Sequence, residues 1–145
     1  MVQVIGIDHI YLSVSNLATS EQFYDCVLAR VLEFRKNKFE LGGEPHIQYF
    51  NQDLGVVLRP ARVLSAHQPY SPGLHHICLR VDSQAEVETA ATELRALGID
   101  ATEVSQFPEY APDYFATFFE DPDGIRIEVT NFRQERRDRR ENWEK

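Results

Sequence analysis

His9-Ile10-Tyr11-Leu12-Ser13-Val14 and, 67 residues later, His76-Ile77-Cys78-Leu79-Arg80-Val81 agree at four of six positions. In each, Ile, Leu and Val alternate with a histidine and its neighbours, and a period of two marks a strand with two unlike faces. The strand signals extend over Val4 to Val14 and Leu74 to Val81. Both lead into helical spacing. Asn16 offers a cap ahead of Leu17, Phe23, Tyr24, Val27 and Leu28, and Ser83 caps a second helix that runs to about Leu97 and stops at Gly98. Further strands follow each helix. In the first half, Gly42, Gly43 and Pro45 punctuate a loop before His46 to Phe50 and Leu54 to Leu58, which flank a Gln52-Asp53 turn. In the second half, Tyr114 to Glu120 and Ile125 to Asn131 flank Asp121-Pro122-Asp123-Gly124, a strong tight-turn signal.

Each half therefore reads strand–helix–strand–strand–strand, too small to close a core by itself. The expectation is an α+β fold of two paired βαβββ modules, forming a curved, cleft-bearing sheet with helices outside. Module one spans about 4–60, a Pro- and Ser-rich connector 61–72, and module two about 73–131. Together they are expected to form a single domain, 1–131, followed by a charged tail, 132–145. The tail holds six basic and four acidic residues and no apolar stripe, which reads as a solvated helix.

Composition narrows the function. The 145 residues carry a formal net charge of −8, so a broad nucleic-acid-binding face is not expected. With the tail set aside, nine basic and nineteen acidic residues leave −10. No apolar run is long enough to span a bilayer, and Met1 to Asp8 has no basic, apolar leader pattern. Cys26 and Cys78 form no CxxC pair, in keeping with a reducing compartment, so a cytoplasmic location is expected.

The alternation also locates candidate chemistry. In both repeated strands the histidine lies on the face opposite the aliphatic residues, and in the last strand Glu128 lies opposite Ile127 and Val129. Two imidazoles and a carboxylate converging on one cleft make a three-ligand site with positions left open for water or substrate. Spacing alone leaves a second reading equally open, in which His9, His76 and Glu128 are satisfied polar residues.

Asp8 to Val14 (DHIYLSV), Gly73 to Val81 (GLHHICLRV) and Phe118 to Val129 (FFEDPDGIRIEV) together resemble the vicinal oxygen chelate superfamily. That group includes glyoxalase I, extradiol dioxygenases, methylmalonyl-CoA epimerases, and the fosfomycin and bleomycin resistance proteins. The resemblance covers about Val4 to Asn131, and is strongest to uncharacterised bacterial glyoxalase-like proteins. It implies a cleft metal that binds two neighbouring oxygens of a small substrate. The family's ligands carry over onto His9, His76 and Glu128, with Fe, Mn, Ni or Zn as the divalent ion and Glu128 also as the catalytic proton shuttle.

Departures from the family pattern limit the branch. The fourth ligand of glyoxalase I and the epimerases is expected near Arg59, and an arginine cannot coordinate a cation. The tyrosine and histidine that extradiol dioxygenases add to the same three ligands fall on Phe118 and Ala61, with Tyr114 and His67 nearby. The potassium-binding loop of the fosfomycin transferases has no match. Around the site, Tyr11, Tyr114, Ala116 and Phe118 are expected to line a partly aromatic concavity. Arg59 is a candidate clamp for a substrate oxygen, or else a strand-end arginine paired with a carboxylate. Substrate-binding candidates are thus Tyr11, Arg59, Tyr114 and Phe118. Cys78 reads as cleft-lining or as a small core residue, and His75 as structural or exposed.

The expected activity is that of a glyoxalase-like lyase or isomerase, or of an extradiol-type dioxygenase. The alternative is a non-catalytic protein that sequesters a small molecule or antibiotic. The modules could pair within one chain or across a homodimer.

Overall fold

The computed structural model describes residues 1–143; the last two positions of the expected tail lie outside the described residues. The chain divides into two compact units, 1–66 and 67–145, with the boundary inside the segment read as a connector.

The first unit contains β1 (His9–Val14), α1 (Leu17–Tyr24), a π-helical continuation (Asp25–Val31), β2 (Arg35–Leu41), β3 (Glu44–Phe50) and β4 (Gly55–Pro60). Its sheet has the order β1-β4-β3-β2, with β1 and β4 parallel and the other pairs antiparallel. The second unit repeats this plan with β5 (His76–Val81), α2 (Gln84–Ala96), β6 (Ser105–Gln106), β7 (Phe115–Glu120) and β8 (Arg126–Asn131). Its order is β5-β8-β7-β6, again with one parallel pair, β5 and β8. Both units are βαβββ modules, and the fold is α+β as expected. A final helix, α3 (Gln134–Glu141), buries none of its residues.

Local chemistry accounts for the boundaries. The Asn16 side chain accepts a hydrogen bond from the Thr19 amide at 3.0 Å, and Ser83 accepts from the Glu86 amide at 3.3 Å. Each cap satisfies an amide that the helix itself leaves unpaired, worth about 1 kcal/mol. Gly98 stops α2 with φ +82°, a left-handed conformation that costs glycine little. In the Asp121–Gly124 turn, Asp121 Oδ1 accepts from the amides of Asp123 and Ile125 at 2.9 and 2.8 Å.

Two sequence expectations need correction. The first strand starts at His9 rather than Val4. The residues before it are exposed, and the pairing of β1 with β4 begins opposite Gly55. Pro45 lies inside β3 rather than in a loop, opposite Glu40 in a hairpin whose turn is Gly42-Gly43. The strands that complete each triplet, β2 and β6, carry no clear apolar alternation. Arg35–Leu41 is nearly all exposed and is held by seven register pairs to β3.

The faces match the alternation. In β1, His9 and Tyr11 are exposed while Leu12 and Val14 are buried. In β5, His76 and Cys78 are exposed and Ile77 is buried. The first unit packs Val14, Tyr24, Val27, Leu28, Tyr49 and Leu58 at or below 2% exposure. Val87, Ala91, Leu94, Ile127 and Val129 do the same in the second. Burial of these aliphatic rows fixes which side of each sheet the histidines occupy.

Candidate functional site

In the second unit the parallel register sets Cys78 opposite Glu128 and His76 opposite Arg126, so all four share one face. β8 lies between two neighbours, and Glu128 is only 4% exposed. Such a carboxylate must be held by hydrogen bonds or a cation. Tyr114 donates its hydroxyl to Glu128 Oε1 at 2.5 Å. The other oxygen, Oε2, lies 3.3 Å from His76 Nε2. Two donors each about 2.1 Å from a shared metal, at angles between right and tetrahedral, stand roughly 3.0–3.4 Å apart. The His76–Glu128 spacing fits that bite.

Both repeat histidines have Nδ1 occupied by the residue before them. Asp8 Oδ2 lies 2.6 Å from His9 Nδ1, and an ionised carboxylate only accepts, so His9 donates from Nδ1. In the neutral ring this leaves Nε2 with a free lone pair, the state a metal ligand needs. His75 Nδ1 likewise lies 2.7 Å from His76 Nδ1, one ring donating to the other, with His76 Nε2 directed to Glu128. Asp8 and His75 are therefore orienting partners. Sequence reasoning gave Asp8 no role and took His75 as structural or exposed; adjacency to each histidine was the available signal.

The remaining candidates divide between the units. In the first, Tyr11 lies two residues beyond His9 on the same face, its ring edge-on to His9 at 5.4 Å and to His46 at 5.9 Å. His46 is buried, stacked on Phe39 at 5.1 Å, with Nδ1 2.9 Å from the Glu44 carbonyl. Arg59 shares this face, but its guanidinium is engaged by Glu44, which also binds Arg62 at 3.0 Å. Asp8, His9, Asn37, Gln48, Asp53 and Gly55 line a polar hollow of about 350 Å³.

In the second unit, Phe118 is opposite Glu128 and carries the Arg126 guanidinium 4.3 Å above its ring. Both line a hollow of about 490 Å³ together with Asp100, Thr102 and Glu120. Tyr114 precedes β7, and its ring meets Phe107 and Tyr110 at 6.4 and 5.3 Å. The Arg133 guanidinium lies 4.3 Å over the Tyr114 ring. Burial and the Glu128 carboxylate raise the Tyr114 pKa, keeping the hydroxyl protonated as a donor. Cys78 is accessible overall, yet desolvation of its sulfur and the Glu128 charge push the thiol up to about 12. It is thus no nucleophile at neutral pH.

The registers also correct the expected place of a fourth ligand. Glu128 sits opposite Cys78, two residues beyond His76; opposite Tyr11, two beyond His9, stands Val57. Arg59 lies two positions further, where module two has Thr130. Valine cannot ligate a cation, so module one offers no carboxylate equivalent to Glu128. Among the described residues, no group of three or more His, Cys, Asp or Glu is arranged to hold a metal ion. No described helix is long and apolar enough to cross a membrane.

Residues 6–129 match the model of the Glyoxalase/Bleomycin resistance protein/Dioxygenase superfamily. A glyoxylase/bleomycin resistance protein/dioxygenase domain from Frankia sp. EAN1pec superposes with a TM-score of 0.73 at 21% identity, covering 90% of this chain and 100% of that one. A lactoylglutathione lyase from Agrobacterium tumefaciens gives 0.65 at 21% identity, covering 89% and 95%. A genomically encoded fosfomycin resistance protein from Listeria monocytogenes gives 0.66 at 18%, covering 93% and 99%. At these identities the likeness shows a shared fold. No curated protein matches the chain.

Proposed function

Because the chain belongs to the Glyoxalase/Bleomycin resistance protein/Dioxygenase superfamily, we propose that it is a metal-dependent enzyme acting on a small substrate with adjacent oxygens. Its chemistry would be that of a glyoxalase-like lyase or isomerase, or of an extradiol-type dioxygenase. The observation that supports this reading is the pair His76 Nε2 and Glu128 Oε2, 3.3 Å apart, with the second atom of each side chain already held. His9, the repeat counterpart of His76 with a free Nε2, would be the third ligand.

A divalent ion (Fe, Mn, Ni or Zn) held by His9, His76 and Glu128 would supply Lewis acidity toward two neighbouring substrate oxygens. Glu128 is the only one of the three able to carry a substrate proton on oxygen, and so would serve as proton shuttle. Tyr114 holds Glu128 Oε1 and fixes which oxygen faces His76. Tyr11 and Phe118 supply aromatic walls beside His9 and Glu128 respectively. Arg59 can meet a substrate oxygen only by sharing or leaving Glu44. With Val57 in place of a second carboxylate, a reaction that needs two shuttling carboxylates on opposite modules is disfavoured.

Metal titration of the native protein against His76→Ala and Glu128→Ala tests this. Stoichiometric binding by the native protein and its loss in both variants is expected. Equal stoichiometric binding in all three would end the reading. A native protein that binds no transition metal, but takes up an aromatic ligand tightly, would point to sequestration.

A further inference from the structure

Beyond Glu128, the same face of β8 continues to Thr130 and, past the strand, to Phe132, whose amide extends the ladder by donating to the Val81 carbonyl at 2.7 Å. Arg80 is opposite Thr130 and belongs to the face of His76 and Cys78. Its guanidinium lies 4.8 Å from the Phe132 ring centre, and that of Arg137, from α3, lies 4.9 Å from the same ring. One aromatic ring thus gathers two cations. Arg133, itself buried, sits over Tyr114, and Arg136 and Arg140 follow on the same side of α3 at helical spacing.

Carboxylates answer only part of this charge. Glu135 pairs with Arg133 at 3.1 Å, and Asp82 lies 3.9 Å from Arg137. Among the described residues no carboxylate pairs with Arg80, Arg136 or Arg140. Partial desolvation and the like charges of Arg136, Arg133 and Arg140 hold the Arg80 guanidinium below its ordinary pKa. In a chain of net charge −8, an arginine group that carboxylates among the described residues answer only in part is a local exception. Like charges brought this close repel, and an oxyanion that accepts from several forks relieves the repulsion.

We propose that Arg80, Arg136 and Arg140, backed by Arg133 and Arg137, form a subsite for an anionic group, a phosphate or a carboxylate, at the far end of the substrate. The proposal rests on the reading of Glu128 as part of the reaction centre in one respect only, that the anion and the reacting oxygens belong to one molecule. Arg80 is two residues along the strand from the Cys78–Glu128 pair, about 7 Å. Three extended bonds span about 3.3–3.6 Å, so the substrate would carry its negative group about six bonds from its adjacent oxygens. A nucleic acid strand is a poorer fit, since Asp82, Glu135 and Asp138 border the group and would face a longer polyanion.

Calorimetric titration of the full chain with pyrophosphate and, separately, with citrate, both in metal-free buffer, tests the subsite and distinguishes phosphate from carboxylate. Native protein is expected to bind at least one of the two. In Arg80→Gln/Arg136→Gln that affinity should fall at least about ten-fold. Arg30→Gln, an exposed arginine in the first unit, removes charge elsewhere and should change it little. Failure of native protein to bind either anion would overturn the subsite. So would an equal loss in Arg30→Gln, or an unchanged affinity in a double variant whose circular dichroism is native. His76→Ala separates the two readings. Anion binding that persists while no metal binds to any form would sink the metal reading alone. Metal binding that persists while anions fail would sink this one alone.

Discussion

The Tyr114 hydroxyl donates to Glu128 Oε1 at 2.5 Å across fourteen residues of sequence, and Glu128 is otherwise nearly sealed from water. One hydrogen bond thus holds a carboxylate whose other oxygen faces His76. A bond to a charged acceptor is worth about 1.5–3 kcal/mol, and leaving the acceptor buried without it forfeits that amount.

Tyr114→Phe removes the donor and little volume. The variant should lose about 2 kcal/mol of stability in urea unfolding with chelator present. Added divalent metal should recover part of that loss, because a cation on Glu128 replaces the missing donor. An unfolding midpoint identical to native in chelator would show that Glu128 does not depend on Tyr114.

Asp8 should matter through His9. Asp8 is exposed, and Asp8→Asn keeps a polar group near His9 Nδ1 but removes the ionised acceptor that selects the ring tautomer. Losing such a partner typically weakens metal binding about ten- to a hundred-fold. Competition titration with a metal chromophore measures this, and thermal unfolding of the metal-free variant should stay close to native. Native metal affinity in Asp8→Asn would remove Asp8 from the site.

Gly55 gives a second handle on His9 that leaves every candidate ligand in place. A Cβ at residue 55 would stand 3.2 Å from the His9 Cβ and 3.5 Å from the Asp8 carbonyl oxygen. Gly55→Ala should therefore displace the start of β1, at a cost of about 1–3 kcal/mol for an overpacked contact. Metal affinity should fall with it. Stability and metal binding both at native values would show that β1 yields freely there.

The alkaline limb of stability follows from two groups near Glu128. Cys78 is raised to about 12 from an ordinary 9.0, and Tyr114 is raised as well. Both hold their protons more tightly folded than unfolded. Their contribution is complete below the unfolded values and is lost as pH rises through the folded ones. Stability to urea should therefore fall between about pH 9 and pH 12. At pH 8 the Cys78 thiolate should be about a thousand-fold scarcer than for an ordinary thiol, so iodoacetamide should label it very slowly. Rapid labelling at that position, read by mass spectrometry, would contradict the shift.

Much of the fold was legible because its signals are local. Period-two alternation, the caps at Asn16 and Ser83 and the Asp121–Gly124 turn each act within a few residues. The strands lacking that alternation, β2 and β6, were not legible, since they are held by pairing rather than by an apolar row. Arg59 was read with two roles open, and only the antiparallel pairing of β3 with β4 brings Glu44 to it across fifteen residues.

By itself the sequence determined the βαβββ repeat and the side of each strand on which His9, His76 and Glu128 stand, because alternation is a property of neighbouring residues. Tertiary structure alone decided the register: Glu128 opposite Cys78, Val57 rather than Arg59 as the module-one counterpart of Glu128, Tyr114 on Glu128, and Arg80 beside Phe132. A shift of two residues preserves every face while changing every partner. Loop lengths and core packing, which act across dozens of residues, are what choose among such shifts.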